Sequence, residues 1–129
     1  MKSDTFIKIA IFFGMTGIIF GALAAHTLSD FISTEKITSF QTGVKYQIFN
    51  SLFLLIISLN IKKFNNKITY SLKFITLGII FFSFSIYALS LQELINEDLS
   101  FLGPITPVGG LLIIIGWFNI FFAIKKNHE

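Results

Sequence analysis

Two histidines, His26 and His128, are the side chains of this chain that titrate near neutral pH, and there is no cysteine to supply a thiolate, a disulfide or a metal ligand. His26 ends a run of small residues, and Tyr46, Gln47 and Asn50 follow one loop later. Together the four side chains could form a proton-sensitive or ligand-binding cluster, with an imidazole to exchange a proton and a phenol and two amides to hold a polar guest. A lone histidine lacks the second acid, base or ligand that chemistry usually needs. The simpler account has the ring bonding open carbonyls at a helix C-terminus, where the partial negative charge suits a cation. His128 reads as a solvated tail residue. A second polar set, Thr76, Ser83, Tyr87 and Ser90, falls on one narrow helical stripe, with Ser85 pointing the opposite way. Hydroxyls so placed either glue helices together or line a polar route. No catalytic residue, metal ligand set or cofactor site is assigned.

The elements that must position these groups are four long apolar runs. They cover 6–25, 44–61, 72–91 and 107–124 of the 129 residues, each near the roughly 20 residues a helix needs to cross the hydrocarbon core. Within lipid such a run must satisfy its own backbone, which makes helix the expected conformation. Composition agrees: 53% of residues are hydrophobic and 13% charged, with seventeen phenylalanines spread along the chain. A soluble fold of this size has too much surface for its volume to hide that apolar load. The expected fold is all-α, one compact bundle of four transmembrane helices in a single domain, with the polar turn from Lys62 to Lys67 closing a tight hairpin between the second and third spans.

The lysines give an orientation. Lys2, Lys8, Lys62, Lys63, Lys67, Lys73, Lys125 and Lys126 fall on one side, and Lys36 and Lys45 on the other. Lysines near span ends stay cytoplasmic, so both termini and the central turn are expected inside. The loop from Gln92 to Gly103 carries acids and no lysine, and faces outward. The net charge of +3 flanks hydrophobic segments and does not form the basic face that nucleic acid requires. Lys2 and Lys8, the apolar stretch 9–21 and Ala22-Leu23-Ala24 also resemble a signal peptide with its cleavage site, but retention of the segment satisfies every loop at once.

Small residues mark the helix faces. At 100° per residue Ala10, Gly14, Gly17, Gly21 and Ala24 lie within an arc of about 80°, a strip that lets backbones approach closely. Gly109, Gly116 and Ala123 recur every seven residues on the fourth run, and Gly43, Gln47, Asn50 and Ser51 share one side of the second. Ser33 is the expected N-cap of a second helix beginning near Thr34, whose stripe Ile37, Phe40, Val44 and Ile48 is expected to lie along the membrane interface. Thr106-Pro107 is the expected start of the fourth helix, with Thr106 as cap and Pro107 at the first helical position. Trp117, in mid-span, is expected to pack between helices.

The runs Gly21-Ala22-Leu23-Ala24-Ala25-His26, Phe40 to Leu52, and Leu102-Gly103-Pro104-Ile105-Thr106-Pro107-Val108-Gly109-Gly110-Leu111-Leu112 to Gly116-Trp117 resemble the YgdD-like family of small four-helix inner-membrane proteins. The third expected helix, over 72–91, is similar through Phe82-Ser83-Phe84-Ser85-Ile86-Tyr87 to the family's serine-rich pattern. His26 matches the family's G-A-H motif, whereas Asn50 stands where members commonly have histidine. An amide cannot titrate at neutral pH, which argues against an obligatory two-histidine metal site or proton relay. The resemblance implies a bacterial inner-membrane location; the family is a domain of unknown function, so no mechanism comes with it. The expected role is non-enzymatic, an interaction or accessory protein whose partners are membrane lipids and a homo-oligomer or larger membrane complex. The alternative is handling of a small molecule or ion through an interhelical polar cavity.

Overall fold

The structure, a computed structural model, describes residues 3–126; Lys2 and His128 lie outside them. Four helical spans follow in order. The first is α1 (Ser3–His26) and the second α2 (Thr34–Leu59). The third consists of α3 (Ile68–Ile79), a π-helical turn (Ile80–Phe84) and α4 (Ser85–Leu91), and the fourth is α5 (Ile105–Ala123). All four are long and apolar enough to cross a membrane. At 1.5 Å per residue α2 is about 39 Å long, which exceeds a hydrocarbon core of about 30 Å.

Two antiparallel hairpins make the bundle. α1 lies along α2, α3 and the π turn lie along α5, and α2 joins the pairs by packing on α3 and α4. Small residues set both hairpin contacts. In the first, a Cβ on Gly17 would stand 2.7 Å from Ile48 Cγ1, one on Gly21 3.2 Å from Val44 Cγ1 and one on Gly14 3.5 Å from Ser51 Oγ. In the second, Gly109, Gly116 and Ala123 are the buried residues of α5. A Cβ on Gly116 would fall 2.5 Å from Ile75 Cγ1, and one on Gly109 would overlap the backbone of Phe81 and Phe82. Without a hydrophobic force between helices in lipid, such close van der Waals contact is what holds them together.

The π turn has a packing consequence. The buried residues Ser71, Ile75, Ile79, Ser83 and Tyr87 recur every four residues along the third span. That interval drifts around an α-helix, and the wider π turn partly offsets the drift, so the ladder stays on the buried side of the span from Ser71 to Tyr87. Thr76 sits one position off it. Its hydroxyl donates to Leu72 O at 2.8 Å, and it borders an apolar groove between α1 and α3 with Phe12, Phe13, Ile80 and Phe84.

Helix ends match the sequence reading in one place and depart from it in others. Ser33 caps α2, accepting from Lys36 N at 3.2 Å. The stripe Ile37, Phe40, Val44 and Ile48 does not lie along the interface: Phe40 and Val44 are buried with Ala24 and Tyr87, and Phe20 and Ile48 pack against them. Contact with α1 and α4 covers Phe40 and Val44, which leaves them no face to lay on an interface. α5 begins at Ile105 with Pro104 at its cap position, two residues before the expected start. Thr106 is then inside the first turn, and its hydroxyl is used across the bundle at 2.6 Å from Ser85 Oγ. Pro107 remains in the first turn, where an amide hydrogen is not required.

The central turn is tied to the end of α5. Asn65 N donates to Ala123 O at 2.7 Å and Asn65 Nδ2 to Phe122 O at 3.1 Å. Lys125 N donates to Lys63 O at 3.0 Å, and Phe64 and Ile124 form an antiparallel bridge. Carbonyls left open at a helix C-terminus are thereby satisfied. On the opposite end the acidic loop is folded on itself: Asp98 Oδ1 accepts from Ser100 N at 3.0 Å and from its hydroxyl at 2.6 Å. These bonds favour the carboxylate and hold the Asp98 pKa below its ordinary value.

Candidate functional site

Gln47 is fully buried and joins three spans. Its Nε2 donates to Phe13 O at 2.8 Å and to Thr16 Oγ1 at 2.8 Å, which uses both amide hydrogens. Its Oε1 accepts from the Tyr87 hydroxyl at 2.6 Å. Thr16 in turn donates to Phe12 O at 2.8 Å. Every donor of this network has an acceptor, the condition under which buried polar groups stabilise a bundle. The amide orientation is fixed by the same geometry, because only nitrogen can donate to the Phe13 carbonyl.

Two glycines make the network fit. Gly17 lets α2 approach α1 closely enough for Gln47 to reach a backbone carbonyl; a Cβ there would stand 3.5 Å from Gln47 Nε2. Gly43 lets the Tyr87 ring lie across α2, since a Cβ there would be 2.7 Å from Tyr87 Cε1. One turn earlier in the third span, Ser83 Oγ donates to Gly43 O at 2.7 Å. Aromatic rings seal the outside. Tyr87 is packed by Phe40 at 4.6 Å, Phe20 at 5.2 Å and Phe84 at 5.6 Å between centroids, separations at which ring pairs attract.

Asn50 faces elsewhere. Its Nδ2 donates to Tyr46 O at 2.8 Å, and its Oδ1 accepts from Trp117 Nε1 at 2.9 Å, linking α2 to α5. Trp117 stacks on Phe53 at 3.5 Å and 6°. Tyr46 is exposed, with its ring against Phe82 at 5.2 Å. Tyr46, Asn50 and Trp117 thus border one lateral groove with Phe49, Ile113 and Ile114.

The structure therefore does not bring the four candidate residues into one cluster. Gln47 points into the core toward α1 and α4, while Tyr46 and Asn50 point toward α5. His26 is the last residue of α1, its ring is exposed, and among the described residues it bonds none of the other three. The reason is angular: Gln47 and Asn50 are three residues apart on a helix sandwiched between neighbours, so each meets a different one. The hydroxyl stripe divides in the same way. Ser83 and Tyr87 serve the contact with α2, Ser90 is buried near them in sequence, and Thr76 borders the α1–α3 groove. Ser85 faces α5, opposite to Ser83, and donates or accepts with Thr106.

Thr16 lies on none of the polar stripes that the sequence marks. A signal for it exists, since it is the one hydroxyl between Thr5 and Thr27 in the first apolar run. Among the described residues no three histidine, aspartate or glutamate side chains converge as a metal centre would require.

Replacing Asn50 by leucine should remove the Trp117 acceptor and cost about 0.6 kcal/mol, the average for interhelical bonds in membranes. Asn50→His should be accepted, because an imidazole nitrogen can take the indole N–H. Thermal unfolding in mild detergent reads the first, and tryptophan emission, shifted in Asn50→Leu and restored in Asn50→His, reads the second.

Four apolar spanning helices, close-packed through glycines and cross-linked by buried amides and hydroxyls, define a polytopic helical membrane protein. The chain belongs to the family described as a protein of unknown function (DUF423), whose model matches residues 20–110. It is 31% identical over 116 residues to a UPF0382 membrane protein of Haemophilus influenzae, covering 90% of each chain. It is 37% identical over 106 residues to a UPF0382 membrane protein of Staphylococcus aureus, covering 82% of this chain and 83% of the relative. Against the UPF0382 inner membrane protein YgdD of Escherichia coli the identity is 33% over 111 residues, 83% of this chain and 81% of that one. No solved structure matches. The chain is an integral protein of the bacterial inner membrane.

Proposed function

We propose that this single four-helix domain is a non-enzymatic accessory protein, with both termini and the central turn in the cytoplasm, that offers its lipid-facing surface to another membrane chain. That chain is a second copy or a larger complex. The observation that carries the reading is the use of Gln47. The most polar side chain at the centre of the bundle spends both donors and its carbonyl on protein partners, which suits a rigid body better than a site awaiting a guest. Asn50, Ser58 and Ser83 are spent likewise. The outward faces are apolar instead, with Phe118, Phe121 and Ile114 of α5 exposed.

The second reading, passage or binding of a small molecule between helices, draws on one atom. Ser71 Oγ is buried and has no hydrogen-bond partner among the described residues. Two turns of the ladder, Ile75 and Ile79, separate it from Ser83, and both are fully buried.

Terminal reporter fusions test the orientation, with activity expected at both ends only for a cytoplasmic reporter. Purification in mild detergent should recover the chain as an oligomer or with a second membrane protein. A monomer free of other chains after cross-linking in native membranes would contradict the accessory role.

A further inference from the structure

At the end of the bundle where the central turn meets the last turn of α5, the third and fourth spans part around a cleft of about 360 Å³. It is lined by Lys67, Tyr70, Phe74, Asn119 and Phe122. Lys67, Tyr70 and Phe74 are three and four residues apart and share a face of the third span, as Asn119 and Phe122 share one of α5. The two walls are clamped at their common end. Asn65 Oδ1 accepts from Lys67 N at 2.9 Å while Asn65 Nδ2 holds Phe122 O, so a single side chain fixes the start of one wall and the end of the other.

Asn119 indicates what the cleft is for. It lies four residues before the end of a spanning helix and is half-buried, yet among the described residues its amide makes no hydrogen bond. The other amides within the spans, Gln47 and Asn50, find protein partners. An amide left unpaired beside hydrocarbon is costly, and none of the described residues pairs this one, so a molecule in the cleft can supply its partner. The surrounding chemistry selects that partner. With depth the lining runs from a cation, Lys67, to a phenol and an amide, Tyr70 and Asn119, and then to the ring of Phe74, about 10 Å in from Lys67. Among the described residues no carboxylate lines the cleft, and Lys62, Lys63 and Lys125 add positive charge at the same end.

We propose that this cleft binds one anionic phospholipid, its phosphate at Lys67, its ester region at Tyr70 and Asn119, and an acyl chain along Phe74 and Phe122. Basic clefts between spans are suited to acidic headgroups, and the volume is that of a small ligand site. The site does not depend on which side of the membrane this end occupies, nor on the accessory role.

Native mass spectrometry of the full chain in mild detergent, titrated with phosphatidylglycerol or phosphatidylcholine of matched acyl chains, tests it. Phosphatidylglycerol should be retained about fivefold more tightly, the factor one lysine contributes at an anionic surface. Lys67→Gln, which alters an exposed side chain and keeps the backbone N–H that Asn65 holds, should remove most of that preference. Asn119→Leu should weaken both lipids, and Lys126→Gln, outside the cleft, should change nothing. Equal retention of the two lipids overturns the site, as does an equal effect of Lys67→Gln and Lys126→Gln. Displacement of the lipid by inorganic phosphate at the same concentration would overturn the lipid as occupant.

Discussion

Gly109→Ala should be the most damaging single-methyl substitution in the bundle. The added Cβ overlaps Phe82 N, Phe81 C and Phe82 Cα, all backbone atoms, so no rotamer change relieves the clash and the third and fourth spans must separate. Overpacking of this kind costs typically 1–3 kcal/mol where side chains can move, and about 3 kcal/mol or more is expected here. Gly17→Ala meets Ile48 Cγ1 at 2.7 Å, the side chain of a partly buried residue that can shift, and should cost about 1 kcal/mol. Gly14→Ala meets only Ser51 Oγ at 3.5 Å, an ordinary contact, and should lie within about 0.5 kcal/mol of the parent. Thermal unfolding of the three variants in one detergent reads the order. Equal losses, or Gly14→Ala as the worst, would show that the helices are not held at the distances described.

Gln47→Leu should be the most damaging change among the polar residues. It deletes three interhelical bonds and strands the Tyr87 hydroxyl among Phe20, Phe40 and Phe84. At about 0.6 kcal/mol per bond on average and up to ~1.7 in membranes, with a further penalty for the stranded hydroxyl, the expected loss is about 2–3 kcal/mol. Tyr87→Phe alone should cost about 1 kcal/mol. The double variant should cost no more than Gln47→Leu by itself, because removing the hydroxyl removes the group left unpaired, and the cycle should give a coupling of about 1 kcal/mol. Additive losses would mean that the two residues do not share a bond.

The spans were legible because lipid imposes simple rules. A run of about 20 apolar residues has one conformation available, and small residues spaced at seven, such as Gly109, Gly116 and Ala123, announce a face before any neighbour is known. Neighbours are harder to read. Gln47 and Asn50 look like one cluster on a helical wheel, yet α2 sits between two partners and turns them apart. His26 looked close to both because a short loop joins the first two spans, but at the end of α1 it stays exposed. The π turn at Ile80–Phe84 has no sequence mark that separates it from an α-helix, and it alters which hydroxyls share a seam with Ser83. The start of α5 was misplaced because Thr-Pro is a strong local signal, whereas Thr106 is claimed by a tertiary partner, Ser85.

In the proposed accessory role the polar interior is structural, closed to water and filled by its own hydrogen bonds. Because the chain has no cysteine, a single Ser83→Cys substitution reports on this directly in native membranes. Ser83 is fully buried with its hydroxyl on Gly43 O, in the middle of any route that the hydroxyl stripe would line. A charged thiol reagent added from either side should leave Ser83→Cys unmodified while it labels Ser39→Cys, an exposed position near the start of α2. Labelling of Ser83→Cys at a rate approaching that of Ser39→Cys, in a protein that unfolds at the parent temperature, would establish a water-filled path between the helices and contradict the account.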